Sequence, residues 1–167
     1  EISSIVRIST GFSEFDRVLG EEELAGIVPG SVILLSGDPG VGKSTLLLQV
    51  ALNLSVQSSE FIVQSLKKVK IKNSEFSVNR EPKTTNVLYV TGEESEAQVT
   101  MRAKRLYKEK SLDNSNLFIL ATSSIDVAIA HAEKNKYALV IIDSIQTMEG
   151  DNIPGYAGSI PQVRHAT

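Results

Sequence analysis

Nine residues, Gly37-Asp38-Pro39-Gly40-Val41-Gly42-Lys43-Ser44-Thr45, restrict the fold of this chain more than any other stretch. They follow the phosphate-binding loop pattern of glycine, four residues, then glycine, lysine and serine. Such a loop must turn successive backbone N–H groups into one concave nest that meets phosphate oxygens. Gly40 and Gly42 supply backbone angles that a Cβ would oppose. Pro39 has no N–H, so the donors are expected from Gly40 onward. In this pattern the lysine, Lys43, reaches the β- and γ-phosphates, and the hydroxyl of Ser44 ligates Mg²⁺.

The flanks suit the motif. Ser31-Val32-Ile33-Leu34-Leu35-Ser36 is a short apolar run that reads as a buried strand. Thr45-Leu46-Leu47-Leu48-Gln49-Val50-Ala51-Leu52 is rich in helix formers. Strand, glycine-rich loop and helix in that order set a helix N-terminus against the phosphates.

The rest of the chain repeats the alternation. Asn86-Val87-Leu88-Tyr89-Val90-Thr91 predicts a second strand, ending in Gly92-Glu93-Glu94-Ser95. Ser95 with Gln98 forms a capping box that opens a helix running to Lys110. Val99, Ala103, Leu106 and Tyr107 would face the core, while Arg102, Lys104, Arg105, Lys108 and Lys110 make a basic, solvated face. Leu117-Phe118-Ile119-Leu120-Ala121-Thr122 predicts a third strand. A helix capped by Ser123 or Ser124 follows, carrying Ile125, Ala128, Ile129 and Ala132, with His131 in a surface or packing role. Residues 137–143 are continuously apolar up to Asp143, as in a parallel strand covered on both faces. Gly150, Pro154, Gly155, Gly158 and Pro161 mark a loop, after which Gln162-Val163-Arg164 begins a further helix. Strands alternating with helices imply right-handed crossovers and an α/β fold, a mostly parallel sheet with helices on both faces.

Before the first strand, residues 8–20 read as a short helix. Ser13 is its expected N-cap, with Asp16 three residues on and an apolar stripe of Phe12, Phe15, Val18 and Leu19. Glu21-Glu22-Glu23 reads as a solvated turn, and Pro29-Gly30 as a tight turn leading into the strand. Residues 56–85 differ in character and read as a surface insertion. There Lys67, Lys68, Lys70 and Lys72 alternate with Val69 and Ile71, which suits a lysine-protected edge strand or a basic flap on nucleic acid.

Composition narrows the class. A chain of 167 residues suits one domain, and 41% hydrophobic with 22% charged residues is the profile of a globular protein. The net charge of −3 gives no global basic field for nucleic acid, so such binding would need a local patch. With no cysteine, neither a disulfide nor a cysteine-ligated zinc site is available within the chain. No apolar run approaches the roughly 20 residues of a membrane span. Acidic Glu1, without a long apolar core after it, does not resemble a signal peptide. The chain opens without Met and stops in the middle of a pattern, and is expected to be a fragment.

The loop, Gly92-Glu93-Glu94 and Asp143 all fall at carboxyl ends of strands, where open α/β sheets bind ligands. Phosphoryl transfer to water needs a phosphate cradle, a metal and a group that positions the attacking water. Asp143, ending an apolar strand, fits the acidic residue of a Walker B element and would hold Mg²⁺. Many ATPases carry their catalytic glutamate directly after that aspartate, but here Ser144 follows. The glutamate must come from elsewhere, and Glu93 is favoured over Glu94 as general base or water-positioner. Gln146 would either sense the γ-phosphate or bond locally. Neither an Asn-Lys-x-Asp element nor an Asp-x-x-Gly after the Walker B strand is present, which favours ATP over GTP.

Several stretches closely resemble the RadA (Sms) family of DNA repair ATPases with a RecA-like core. They are Arg7-Ile8-Ser9-Thr10-Gly11, Phe15-Asp16-Arg17-Val18-Leu19-Gly20, Val28-Pro29-Gly30-Ser31, residues 37–49, residues 88–95, residues 140–147 and Gln162-Val163-Arg164. Gly-Glu-Glu-Ser and Asp-Ser-Ile-Gln-Thr are the most specific of them. The resemblance runs from about Arg7 to the end, apart from residues 21–25 and 56–85. It implies a RecA-like P-loop fold and ATP-driven work, with Mg²⁺, on single-stranded or damaged DNA and branched recombination intermediates. It implies Lys43 and Glu93 as catalytic residues, Gly37, Asp38, Pro39, Gly40, Val41, Gly42, Lys43, Ser44 and Thr45 around the nucleotide, and Ser44 and Asp143 on the metal. A ring of six subunits and a recombinase partner belong to the same expectation, as does a site in the bacterial cytoplasm or, for a eukaryotic homologue, in a mitochondrion or chloroplast. The family's four-cysteine zinc finger, Lys-Asn-Arg-Phe-Gly motif and Lon-protease-like domain do not occur in these residues. A core fragment of this kind is expected to bind nucleotide weakly or moderately and to hydrolyse it inefficiently. The competing functions are a P-loop kinase, for which no acceptor pocket or lid is evident, and a non-catalytic nucleotide-binding module.

Overall fold

The computed structural model describes residues 7–20, 25–56, 85–107, 115–151 and 153–167. Three parallel strands form its sheet: β1 (Val87–Thr91), β2 (Leu117–Ala121) and β3 (Leu139–Asp143), in the order β2-β1-β3. The registers pair Thr91 with Ala121 on one side and with Asp143 on the other, so the carboxyl ends of all three strands are level. The helices are α1 (Ser13–Val18), α2 (Lys43–Val56), α3 (Glu96–Leu106), α4 (Ile125–Lys134) and α5 (Ile160–Ala166), with a 3₁₀ turn at Ile145–Thr147.

Alternation along β1 divides the core. Val87 and Tyr89 meet Leu48, Ala51 and Leu52 of α2 and Val99 and Ala103 of α3. Leu88 and Val90 point the other way, against Ile125 and Ala128 of α4 and against Met148. All five residues of β1 are buried, as expected for a central strand with helices over both faces. The α/β RecA-like P-loop architecture expected from the sequence is therefore present.

Local chemistry accounts for the helix starts. At α3, Ser95 accepts from the Gln98 backbone N–H and the Gln98 side chain accepts from the Ser95 N–H, completing the capping box. At α4, the cap is Ser124, whose side chain accepts from Val127 N–H. Val28-Pro29-Gly30-Ser31 closes a turn with Ser31 N–H donating to Val28 O at 3.0 Å.

Four expectations are corrected. The run 31–36 joins no strand ladder among the described residues, and Val32 and Leu34 are 96% and 79% exposed. A strand exists only where a neighbour takes its N–H and C=O groups, and the run has no such pairing among the described residues. The last strand is covered less than its apolar run suggests: among the described residues β3 lies at the sheet edge, only Ile141 of the strand is buried, and Val140 is exposed. At α1 the N-cap position is Phe12, without a side-chain cap, and Ser13 lies inside the helix. Phe12 and Phe15 do pack on the core, but Val18 is 72% exposed and the buried residue of the helix is Asp16. The cause is polar: the Asp16 carboxylate accepts from Ser9 Oγ (2.6 Å), Thr10 N–H (2.8 Å) and Thr10 Oγ1 (2.6 Å), which turns it inward. The fourth correction, at Arg102, belongs to the site. Residues 57–84 of the proposed surface insertion at 56–85, with its lysine cluster, the acidic turn at 21–23 and the helix end at 108–110 lie outside the described residues.

Candidate nucleotide site

The phosphate loop leads directly into α2, which starts at Lys43. Gly40 and Gly42 hold φ of 82° and 95°, the left-handed region that favours glycine. A Cβ at either would meet nothing within 4 Å. Glycine is thus required there by backbone angle, and the space beside the loop is open. The Lys43 ammonium lies along the loop, donating to Gly37 O at 2.7 Å and Asp38 O at 2.8 Å.

Apolar packing carries the loop to the sheet. With Leu48, Ala51 and Leu52 seated on Tyr89 and Ile141, the first turn of α2 reaches the end of β3. Ser44 Oγ donates to Asp143 Oδ1 at 3.0 Å. The other carboxylate oxygen, Oδ2, accepts from the Tyr89 hydroxyl at 2.5 Å. The Ser44 carbonyl lies 3.5 Å from that hydroxyl and is the poorer acceptor. Burial first, and then the bond to Asp143, push the Tyr89 hydroxyl well above the usual tyrosine range, so it stays protonated and donates.

The two candidate glutamates end β1 in different environments. Glu94 is engaged: its backbone N–H donates to Thr91 Oγ1 at 3.1 Å, and its carboxylate pairs with Arg102 Nη1 at 2.8 Å. Glu93 is exposed. Arg102, expected on the solvated face of α3, instead turns to the site and also donates through Nη2 to the Tyr89 hydroxyl at 3.3 Å. Helical spacing contained the signal, since Arg102 falls three residues after buried Val99 and beside buried Ala103. Tyr89, expected simply as a strand residue, also carries a polar tip on an apolar body, and a buried tyrosine hydroxyl usually finds a partner.

Past β3, Gln146 is exposed. Thr147 Oγ1 donates to Ser144 O at 2.7 Å and fixes the 3₁₀ turn. Gln162 is 2% exposed and uses both ends of its amide on the loop after β3: it accepts from Gly150 N–H at 2.7 Å and donates to Ile153 O at 2.6 Å. His131 stacks on Tyr137, the packing role expected of it.

The residues present fit a nucleotide with Mg²⁺. Ser44 and Asp143 face each other with the hard oxygen donors that Mg²⁺ prefers. Among the described residues no three His, Cys, Asp or Glu side chains form a metal cluster. A metal at Ser44 and Asp143 would complete its shell with phosphate oxygens and water, the usual state of Mg²⁺ beside nucleotides.

A parallel sheet with a phosphate loop and an acidic strand end at its carboxyl edge defines a P-loop nucleotide-binding domain. The family model of the AAA domain matches residues 21–153, and the chain belongs to that family. Among individual proteins, it is similar to the DNA repair protein RadA of Campylobacter jejuni, 38% identical over 167 residues, covering 100% of this chain and 30% of that protein. The RadA proteins of Salmonella typhimurium and Escherichia coli are 42% and 41% identical over 163 residues, 98% of this chain and 28% of each. The resemblance to RadA read from the motifs thus extends along the whole chain, which spans about 30% of the length of the curated relatives it matches. Among the described residues, no helix is long and apolar enough to cross a membrane.

Proposed function

We propose that this chain is the nucleotide-hydrolysing core of a DNA repair ATPase, with residues 1–167 forming one RecA-like ATPase domain and 56–85 a surface insertion in it. The observation that carries the reading is the meeting of Ser44 and Asp143, which joins the phosphate loop to an acidic strand end. Residues 37–45 cradle the phosphates, and Lys43 shifts from the loop carbonyls to the β- and γ-phosphates of ATP. Ser44 and Asp143 hold Mg²⁺, which when bound neutralises charge on the phosphate oxygens. Glu93 positions and deprotonates the attacking water; Glu94, already paired with Arg102, does not.

Similarity to RadA proteins supports the remaining parts of the proposal: action on single-stranded or damaged DNA and branched intermediates, assembly as a homo-hexamer, a recombinase partner, and residence in the cytoplasm of a bacterium or in a eukaryotic organelle. The test is Mg²⁺-dependent ATP turnover by the protein in its full natural length, with and without single-stranded DNA. Turnover that rises with DNA supports a motor. Turnover indifferent to DNA removes the DNA-coupled part, and phosphate passed to an acceptor other than water replaces the hydrolase with a kinase.

A further inference from the structure

Five side chains from the first turn of α2, the middle of β1, the turn after it, α3 and the end of β3 form one hydrogen-bonded line: Glu94, Arg102, Tyr89, Asp143 and Ser44. Its direction is fixed by chemistry. A guanidinium has donors and no acceptor, so the Tyr89 oxygen accepts from Arg102. The single Tyr89 proton is then left for Asp143 Oδ2. The remaining oxygen, Oδ1, faces Ser44. A carboxylate held at one oxygen turns about its last torsion, a broad and roughly two-fold rotor. One held at both oxygens has a single plane.

We propose that Tyr89 and Arg102 are positioning residues of the nucleotide site: the Tyr89 hydroxyl, aimed by Arg102, fixes the Asp143 carboxylate so that Oδ1 faces Ser44 and the metal. The inference rests on the reading of Ser44 and Asp143 as the Mg²⁺ residues. The Tyr89 ring is fully buried between α2 and α3, and phenylalanine would fill the same space. The hydroxyl therefore adds nothing to apolar packing, and its best partner is Asp143. Glu94 anchors Arg102, which ties the end of β1 to the end of β3. Groups that orient a metal-holding carboxylate commonly change metal affinity when removed, by about 10- to 100-fold.

The test uses Tyr89→Phe in the protein at its full natural length and reads nucleotide affinity, not turnover. A fluorescent ATP analogue is titrated in EDTA and across a Mg²⁺ series, with thermal unfolding recorded alongside. In EDTA, Tyr89→Phe is expected to bind the analogue as the wild type does. The Mg²⁺ concentration that half-restores tight binding is expected to rise about tenfold. Arg102→Ala is expected to shift the same midpoint in the same direction. The double variant is expected to shift it no further than Tyr89→Phe alone, because Arg102 acts through the hydroxyl. A Tyr89→Phe midpoint equal to the wild type's overturns the inference while leaving Ser44 and Asp143 in their roles. Additive shifts in the double variant overturn the line from Arg102. Wild-type binding indifferent to Mg²⁺, or unchanged by Asp143→Asn, removes the metal reading itself and this inference with it.

Discussion

Ser44 and Asp143 stand 99 positions apart, and their side chains meet at 3.0 Å. The contact is made by packing: α2 lies on β1 and β3 through Leu48, Ala51 and Leu52, which delivers its first turn to the strand ends. A serine hydroxyl offers a hard oxygen to Mg²⁺, and alanine offers none. Ser44→Ala is expected to fold normally and to lose Mg²⁺-assisted ATP affinity and most turnover. The loss should be about 100-fold, as for removal of one well-placed electrostatic group. Calorimetric titration of ATP with and without Mg²⁺ checks it; a variant that keeps its full Mg²⁺ response contradicts the assignment.

Lys43 bridges the carbonyls of Gly37 and Asp38 and carries the one positive charge of the loop. Lys43→Ala is expected to weaken ATP binding more than it weakens binding of the nucleoside monophosphate. The charge acts on the outer phosphates. Competition of ATP and AMP against a labelled nucleotide measures the difference.

Asp16 stabilises the segment in front of the phosphate loop. Its carboxylate takes two hydroxyls and one backbone N–H, and Thr10 is itself fully buried. Asp16→Ala leaves those donors without their acceptor, at a cost of about 3 kcal/mol. Urea denaturation should show the unfolding free energy falling by that amount and the midpoint moving to lower urea, with little change in ATP affinity once the variant is folded.

Gln162 shapes the loop that leaves β3. Its amide holds Gly150 N–H and the carbonyl of Ile153, so the bond is local and the sheet does not depend on it. Gln162→Ala is expected to raise hydrogen exchange at the Gly150 amide at least about tenfold, the effect of losing a net bond of about 1.4 kcal/mol. Amides of β1 should exchange as before. Equal acceleration in β1 would place Gln162 in the global core instead.

What the sequence revealed follows from how far each interaction reaches. The glycine pattern at 37–45 and the capping box of Ser95 and Gln98 are complete within a few residues, and both are present as read. The apolar runs that became β1, β2 and β3 are legible because burial on a sheet leaves a local trace. Pairing is different, since the run at 31–36 has the same trace and joins no ladder among the described residues. Asp16 looked like a helix residue because its three donors come from Ser9 and Thr10, before the helix starts. Arg102 looked solvated because its partners, Glu94 and Tyr89, lie 8 and 13 positions away and on another element. Charge alone does not say which way a long side chain turns; position beside Val99 and Ala103 did.

The separation of the two glutamates tests the account most directly. Glu94 is held by Arg102, and Glu93 is exposed at the end of β1. The measurement is ATP turnover and ATP affinity for Glu93→Gln and Glu94→Gln, made in parallel on the protein at its full natural length. Removal of a positioned general base costs about 100- to 10,000-fold in rate. The account predicts that Glu93→Gln binds ATP with Mg²⁺ as the wild type does and loses turnover on that scale, while Glu94→Gln keeps most of it. Turnover that survives in Glu93→Gln and disappears in Glu94→Gln would contradict the account.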